Sequence, residues 1–273
     1  MRRTLIALSL AFAAFAHEGL HEQLEALSQR IAKEPANAEL FLQRGELYRL
    51  HREWDAARAD YDRAAKLDAK LAVDFARGRM ELEAGELTAA RRYLDAFLAR
   101  NPEHAEAHLA RARTLVRLKQ TAAALADYDA AITHAVHPTP DLYAERAKLQ
   151  SPADAVRGLD EGLTRLGPLI SLQLQAIDFE LAAGRIDAAL ARLDAILARA
   201  PRKEQYLMMR GEILAKARRN EEANAAYRAA LQSIEQLPAA RRNNRRTREL
   251  VNRIASALCA GDRGGTEAGG PCR

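Results

Sequence analysis

The chain has 273 residues, of which 48% are hydrophobic and 29% are charged, as is typical of a folded globular protein. Its formal net charge of +5 at pH 7 is too small to indicate nucleic-acid binding by itself. Glycine and proline are scarce, at 14 and 9 residues, and aromatic residues make up only 5%. This composition favours helices filled by alanine and leucine over a strand-rich fold.

The first sixteen residues have the pattern of a secretory signal peptide. Arg2 and Arg3 supply a positive start, an apolar run follows over residues 4–13, and small residues occupy the cleavage-site spacing that ends at Ala16. The apolar run is too short to span a bilayer comfortably. We therefore expect cleavage after Ala16 and a periplasmic or secreted mature protein.

Residues 17–21 read His-Glu-Gly-Leu-His, which is the HExxH pattern of zinc proteases. On a helix, His17 and His21 would share a face and could bind zinc, with Glu18 activating a water molecule. However, the first residues of a mature chain fray, nothing there would exclude water, and no third ligand is identifiable. We expect no cofactor and no enzymatic activity, and a metal-binding protein or metalloenzyme that uses His17 and His21 is kept as an alternative.

Alanine recurs along most of the chain at steps of 33, 34, 31, 34 and 34 residues. Four residues after each alanine stands a large side chain, as in Ala57 and Tyr61. The six alanines are Ala57, Ala90, Ala124, Ala155, Ala189 and Ala223. A recurrence of this length indicates a stack of similar units rather than one central core.

Each unit is predicted to be a pair of antiparallel helices, and the first unit shows the pattern most clearly. Residues 38–51 and 54–67 both have helical periodicity, with Gly45 on the inner face of the first helix and Ala57 and Tyr61 on that of the second. A small residue on each helix lets the two backbones approach closely, and aromatic side chains fill the gaps. The fourth unit has a shorter link, in which Pro152 can open the second helix.

Over roughly residues 35–238 the sequence resembles the tetratricopeptide repeat family. The matching positions are Phe41, Gly45, Tyr48, Ala57, Tyr61 and Ala64 in the first unit, and Leu207, Gly211, Leu214, Ala223, Tyr227 and Ala230 in the sixth. The resemblance implies an all-α fold, a right-handed superhelical solenoid of about six helix hairpins whose concave groove binds a protein or peptide. We expect capping helices over residues 17–34 and 239–259 and a flexible tail over residues 260–273.

In this family the residue after the small position of each first helix tends to face the groove. We call these residues the first-helix row: Glu46, Arg79, Arg113, Lys148, Asp178 and Glu212. Arg117 lies one turn beyond Arg113, and nearby apolar surface is predicted from Phe75, Leu109, Leu174 and Met208. The groove is therefore predicted to be basic in its middle and acidic at its ends, which favours an acidic partner segment.

An arginine precedes the small position in several units, and in the first and third units an aspartate follows it sixteen residues later. These pairs are Arg44 with Asp60 and Arg111 with Asp127. We expect each pair to bridge the two helices of its unit rather than to bind an anion. His104, His108, His134 and His137 could together form a metal site, but His108 falls where Phe41 falls in the first unit, which favours packing.

The last predicted helix carries the densest basic run, with Arg241, Arg242, Arg245, Arg246 and Arg248. A solvated end cap is the simplest interpretation, and contact with an acidic partner or membrane surface is the alternative. The two cysteines, Cys259 and Cys272, could form a disulfide in an oxidising compartment.

These patterns predict a non-catalytic, exported scaffold that binds a partner protein or peptide segment in its groove, without nucleic acid. A structural or assembly role in the cell envelope is a further alternative. The oligomeric state does not follow from the sequence.

Overall fold

The computed structural model describes residue 19 and residues 21–263, and every regular element within them is a helix. The chain divides between Pro138 and Thr139 into two compact units. The predicted all-α fold of repeated helix hairpins is confirmed. The predicted signal peptide at residues 1–16 lies outside the described residues.

The N-terminal unit contains a first helix and three hairpins. Its helices are α1 (21–33), α2 (Ala38–Leu50), α3 (Trp54–Leu67), α4 (Val73–Ala84), α5 (Leu87–Arg100), α6 (Ala105–Arg117) and α7 (Thr121–His134).

The C-terminal unit contains three further hairpins and two closing helices. Its helices are α8 (Pro140–Ala147), α9 (Pro152–Leu166), α10 (Ile170–Ala182), α11 (Ile186–Arg199), α12 (Glu204–Lys216), α13 (Asn220–Glu235), α14 (Ala239–Arg242) and α15 (Arg245–Arg263).

The packing inside the hairpins follows the predicted pairing of small and large residues. A Cβ atom added to Gly45 of α2 would lie 2.6 Å from the Tyr61 ring of α3, and one added to Gly78 of α4 would lie 2.6 Å from Leu94 of α5. Gly211 of α12 meets the Tyr227 ring of α13 in the same way. All six repeating alanines are buried. In these three hairpins the close approach of the paired helices therefore depends on the missing side chain of a glycine on the first helix.

The fourth hairpin reverses this arrangement. Here the glycine is on the second helix, where a Cβ atom at Gly162 of α9 would lie 2.8 Å from the ring of Tyr143 on α8. Tyr143 is fully buried. As predicted, α9 begins at Pro152, and the Ser151 side chain accepts a hydrogen bond from the Asp154 backbone N–H.

The predicted arginine–aspartate bridges within hairpins are both present. Arg44 donates from Nε and Nη2 to the two carboxylate oxygens of Asp60 at 2.7 and 2.8 Å, and Arg111 does the same to Asp127 at 2.7 Å for both bonds. Hydrogen bonding to Asp60 raises the pKa of Arg44, and hydrogen bonding to Asp127 raises that of Arg111. These side chains join the two helices of a hairpin.

Arginines that precede the small position also reach back to the preceding hairpin, which was not predicted from the sequence. Arg111 donates to Asp95 at 2.8 Å. Arg77 forms an ion pair with Asp62, fifteen residues earlier, and Arg210 forms one with Asp194, sixteen residues earlier. Neighbouring hairpins within each unit are thus tied together by charge as well as by apolar contact.

The terminal helices pack apolar side chains against the repeats. Leu24 and Ile31 of α1 are buried, as are Leu250 and Ile254 of α15. Helix α15 continues to Arg263, past the start of the predicted tail at residue 260. None of the helices in the described part of the chain has the length and apolar character needed to cross a membrane.

Candidate partner-binding surface

Glu46 of α2 forms the centre of a polar network in the N-terminal unit. Its Oε1 accepts a hydrogen bond of 2.7 Å from the Tyr61 hydroxyl, and its Oε2 accepts from Arg79 at 2.9 Å and from Arg49 at 3.0 Å. Burial and then the charge of Glu46 raise the pKa of the Tyr61 hydroxyl, which stays a donor. The network links α2 to α4 through Glu46 and Arg79, the members of the first-helix row on these two helices.

The neighbouring charges on these two helices are also paired. Arg49 donates to both oxygens of Glu83 at 2.6 and 2.8 Å, and the Arg79 guanidinium carbon lies 5.2 Å from the centre of the Phe75 ring. Arg79 was predicted to supply positive charge to a partner. The structure shows instead that much of its charge is compensated within the protein by Glu46.

On α6 the two predicted arginines are exposed. Arg117 reaches back to α4, where its Nη1 donates to the Leu82 carbonyl at 2.6 Å. This carbonyl belongs to the last turn of α4, where a cation interacts favourably with the helix dipole. Leu109 is half-buried on the same helix. Arg113 and Arg117 thus place exposed positive charge on α6.

Phe75 contributes more to packing than to open surface. Its ring lies 5.3 Å from the Phe97 ring and 4.8 Å from the His104 ring, centre to centre. It is half-buried against the core cluster that contains Phe97 and Leu98.

The C-terminal unit places its predicted residues differently. Lys148 and Asp178 are exposed and Leu174 is half-buried. Met208 is only 4% exposed and packs in the core of the unit, so it offers no open apolar surface. Glu212 accepts a hydrogen bond of 2.8 Å from Arg253 of α15.

A cleft between α1 and α2 was not anticipated from the sequence, and its lining is mainly apolar. We call it the α1–α2 cleft. It encloses about 600 Å³ and is lined by Ala26, Leu27, Leu42 and Leu47, with Gln23, Arg30, Gln43 and Glu46 around them. Leu50, one turn further along α2, is 60% exposed.

A sequence signal for this cleft does exist. Helix α2 carries one apolar face through Phe41 and Gly45, and a second through Leu42, Leu47 and Leu50. A helix with two apolar faces needs two apolar neighbours. The first face packs against α3 in the hairpin, and the second face therefore indicates a further apolar contact on the other side of α2.

The family model described as Tetratricopeptide repeat matches residues 75–139 and 174–250, which together are more than half of the chain. The chain belongs to the tetratricopeptide repeat family. Its predicted resemblance to that family is therefore confirmed.

Solved structures show the same fold. A tetratricopeptide repeat protein from Parabacteroides merdae is 20% identical, with a TM-score of 0.52 over 88% of this chain and 94% of that one. A crystal structure of MamA is 17% identical, with a TM-score of 0.53 over 62% of this chain and 94% of that one. The Naa15/Naa10 structure bound to HypK-THB is 15% identical, with a TM-score of 0.51 over 91% of this chain and 40% of that one. No curated protein sequence matches.

Two histidines of this tetratricopeptide repeat protein, His104 and His108, serve structural roles. His104 caps α6, since its Nδ1 accepts from the Ala107 backbone N–H at 3.1 Å. His108 is buried, with Nδ1 2.9 Å from Asp127 and Nε2 2.7 Å from the Pro102 carbonyl, so both ring nitrogens are engaged by the protein. The predicted packing of His108 is confirmed.

The remaining candidate sites of the repeat protein involve residues beyond the description. His17 and Glu18 lie outside the described residues, and His21 lies on α1 with its ring 6.4 Å from that of His51. Within residues 21–263 and at residue 19, three or more histidine, cysteine, aspartate or glutamate side chains nowhere gather as metal ligands would. Cys272 also lies outside the described residues, so its disulfide with Cys259 stays a prediction.

Proposed function

We propose that this tetratricopeptide repeat protein is a non-catalytic scaffold that docks an amphipathic, acidic segment of a partner protein on its N-terminal unit. Membership of the family supports a role in protein interaction. The structural neighbour Naa15/Naa10, which is bound to HypK-THB, supports a protein partner for this fold. The α1–α2 cleft is the observation that carries the proposal.

The lining of the cleft suits an apolar side chain. Leu27 of α1 and Leu42 and Leu47 of α2 are each only partly buried, so a partner residue inserted between them would remove apolar surface from water on both sides. Each 100 Å² of apolar area so buried is worth about 2.5 kcal/mol before the costs of association. A helical segment presents such anchors at spacings of three and four residues.

The charges at the rim favour acidic residues on the partner. Glu46 is already compensated by Tyr61, Arg79 and Arg49. Across the cleft, the Arg30 guanidinium is exposed and forms no ion pair within the described residues. Arg113 and Arg117 of α6 add exposed positive charge to the same unit, and such charge sets partner preference and salt dependence.

The test is to select peptides from a displayed random library with the wild-type protein and to measure their affinities by fluorescence anisotropy. Leu47→Asp places a charge in the apolar lining, and we expect it to weaken binding by about tenfold or more. Arg30→Glu and Arg113→Glu should weaken acidic peptides and reduce the salt dependence of binding.

Val136→Asp is the matched control, because Val136 is 84% exposed and remote in sequence from the cleft. Its peptide affinities should equal those of the wild type. If Leu47→Asp and Arg30→Glu both retained wild-type affinity while folded, the proposed docking surface would be refuted.

The proposal includes export, which rests on the signal-peptide pattern of residues 1–16. The scaffold would then act in the periplasm or outside the cell. Mass spectrometry of the protein from its native host should show a chain that begins at His17, and an intact N-terminus would contradict export by cleavage.

A further inference from the structure

Five exposed arginines gather where α14 meets the start of α15 in the C-terminal unit. The Thr247 hydroxyl ties the two helices together, because it donates to the Arg241 carbonyl at 2.8 Å. Side chains in the first turn of a helix lean towards its N-terminus, so those of the first turn of α15 lie at the end where α14 joins it. We call this surface the basic cap: Arg241, Arg242, Arg245, Arg246 and Arg248.

The basic cap has little negative charge to compensate it. Glu249 is the only carboxylate between residues 238 and 258, and it pairs with Arg245 at 2.7 Å. Arg242 donates to the Glu235 carbonyl at 3.0 Å, which supplies no compensating charge. The arginines of the cap that form no ion pair within the described residues are Arg241, Arg242, Arg246 and Arg248.

The chemistry of the cap suits closely spaced phosphate groups. Its basic residues are all arginine, and no lysine follows Lys216 in the sequence. The planar guanidinium group matches the oxygens of a phosphate in a two-bond geometry and gives up its water more readily than an ammonium group does. The partial positive charge at the start of the 19-residue helix α15 has the same sign and adds to the potential.

The side chains around these arginines favour a membrane surface over a protein or a nucleic acid. The apolar residues Leu250 and Ile254 of α15 are buried, and none of the large hydrophobic side chains that are exposed in the described chain lies on α14 or α15. A protein interface depends on such apolar anchors, and single-stranded nucleic acid stacks on aromatic rings, which residues 238–263 lack. An anionic membrane surface attracts clustered arginines without either feature.

We propose that the basic cap holds the C-terminal unit on the surface of a membrane that contains anionic phospholipids. The contact is electrostatic and reversible, because the apolar face of α15 is already used in the core of the unit and no helix is inserted. It is separate from partner docking, which uses residues of the N-terminal unit.

The experiment is a vesicle sedimentation assay with residues 17–273, which leaves out the apolar segment before them. The vesicles contain either phosphatidylcholine alone or phosphatidylcholine with about one third phosphatidylglycerol. We expect the partition coefficient to be at least about tenfold higher for the anionic vesicles and to fall steeply as salt is added.

Variants test whether the cap is the surface that binds. The double variant Arg246→Gln with Arg248→Gln should lower the partition coefficient on anionic vesicles by about fivefold for each substitution. Arg63→Gln with Arg92→Gln is the matched control, because it removes the same charge from exposed positions of the N-terminal unit. The control should change the partition coefficient less than twofold, and circular dichroism checks that both variants are folded.

Three results would overturn the membrane assignment. The first is wild-type partition of the Arg246 and Arg248 double variant, and the second is an equal loss in the control, which would show that only net charge matters. The third is tighter binding of polyglutamate or a DNA duplex than of the anionic vesicles. Peptide binding at the α1–α2 cleft is measured without lipid and with other variants, so either proposal can fail alone.

Discussion

At the scale of the residue, burial decides which of the many ion pairs stabilise the fold. The Asp60 side chain is 7% exposed and holds Arg44 through both oxygens, while the Asp55 side chain is fully exposed next to Arg58. Removing one partner of a buried pair leaves the other charge uncompensated in a medium of low dielectric constant. An exposed pair is screened by water and contributes little.

We therefore expect Asp60→Ala to lower the free energy of unfolding by about 2–3 kcal/mol, somewhat below the ~3–5 kcal/mol for breaking a fully buried pair. The reduction reflects the remaining exposure of Arg44 and its bond to Ser28. Urea denaturation followed by circular dichroism measures the difference. Asp55→Ala is the control and should leave the midpoint unchanged, and equal effects of the two variants would show that burial does not distinguish the pairs.

At the scale of the element, the fourth hairpin shows that the same close approach of two helices can be reached from either side. In the first, second and sixth hairpins the first helix supplies the glycine, and in the fourth the second helix supplies it against Tyr143. The short α8, with eight residues, thus packs its largest side chain over the backbone of α9. Because Ala147 occupies the position where a small residue is expected on α8, the sequence did not indicate this reversal.

Gly162→Ala tests this reversed packing. In an ordinary helix position the change from glycine to alanine stabilises by roughly 0.5–1 kcal/mol. Here the added methyl group would lie within 3 Å of a buried ring, so we expect a loss of about 1–3 kcal/mol in thermal unfolding. Thr164→Ala, at an exposed position of the same helix, should have a small effect, and a more stable Gly162→Ala protein would contradict the packing described for Tyr143.

At the scale of the whole molecule, the chain forms two units that each have an apolar core of their own. One core cluster contains Leu40, Tyr61 and Met80 of the N-terminal unit, and another contains Leu193, Leu214 and Ile254 of the C-terminal unit. In repeat proteins each hairpin is stabilised chiefly by its nearest neighbours. Each unit therefore holds most of the contacts that it needs.

We expect residues 17–138 and residues 139–273, produced separately, both to be helical and to unfold cooperatively. Far-ultraviolet circular dichroism and thermal melts measure this directly. The full chain serves as the reference for helix content per residue. A fragment that is unfolded in buffer would show that its unit depends on the rest of the chain for its stability.

The candidate surface was only partly predictable. Five of the six residues of the first-helix row lie within the first helices of their hairpins, and Lys148 directly follows the end of α8. The charge that the row leaves available did not follow from the sequence, because Glu46 of α2 compensates Arg79 of α4 and periodicity within a helix does not report such pairs. Met208 was assigned to the surface for the same reason, since its burial depends on neighbours outside its own helix.

The sequence by itself determined the hairpins, their register and the bridges between their helices. A helix pair that packs at close range must place small and large residues at fixed spacings, and those spacings are visible along the chain. The tertiary structure alone decided where open surface and available charge remain: the α1–α2 cleft, the compensated charge at Glu46 and the exposed arginines of the basic cap. Each of these depends on which side chains from separate helices come together.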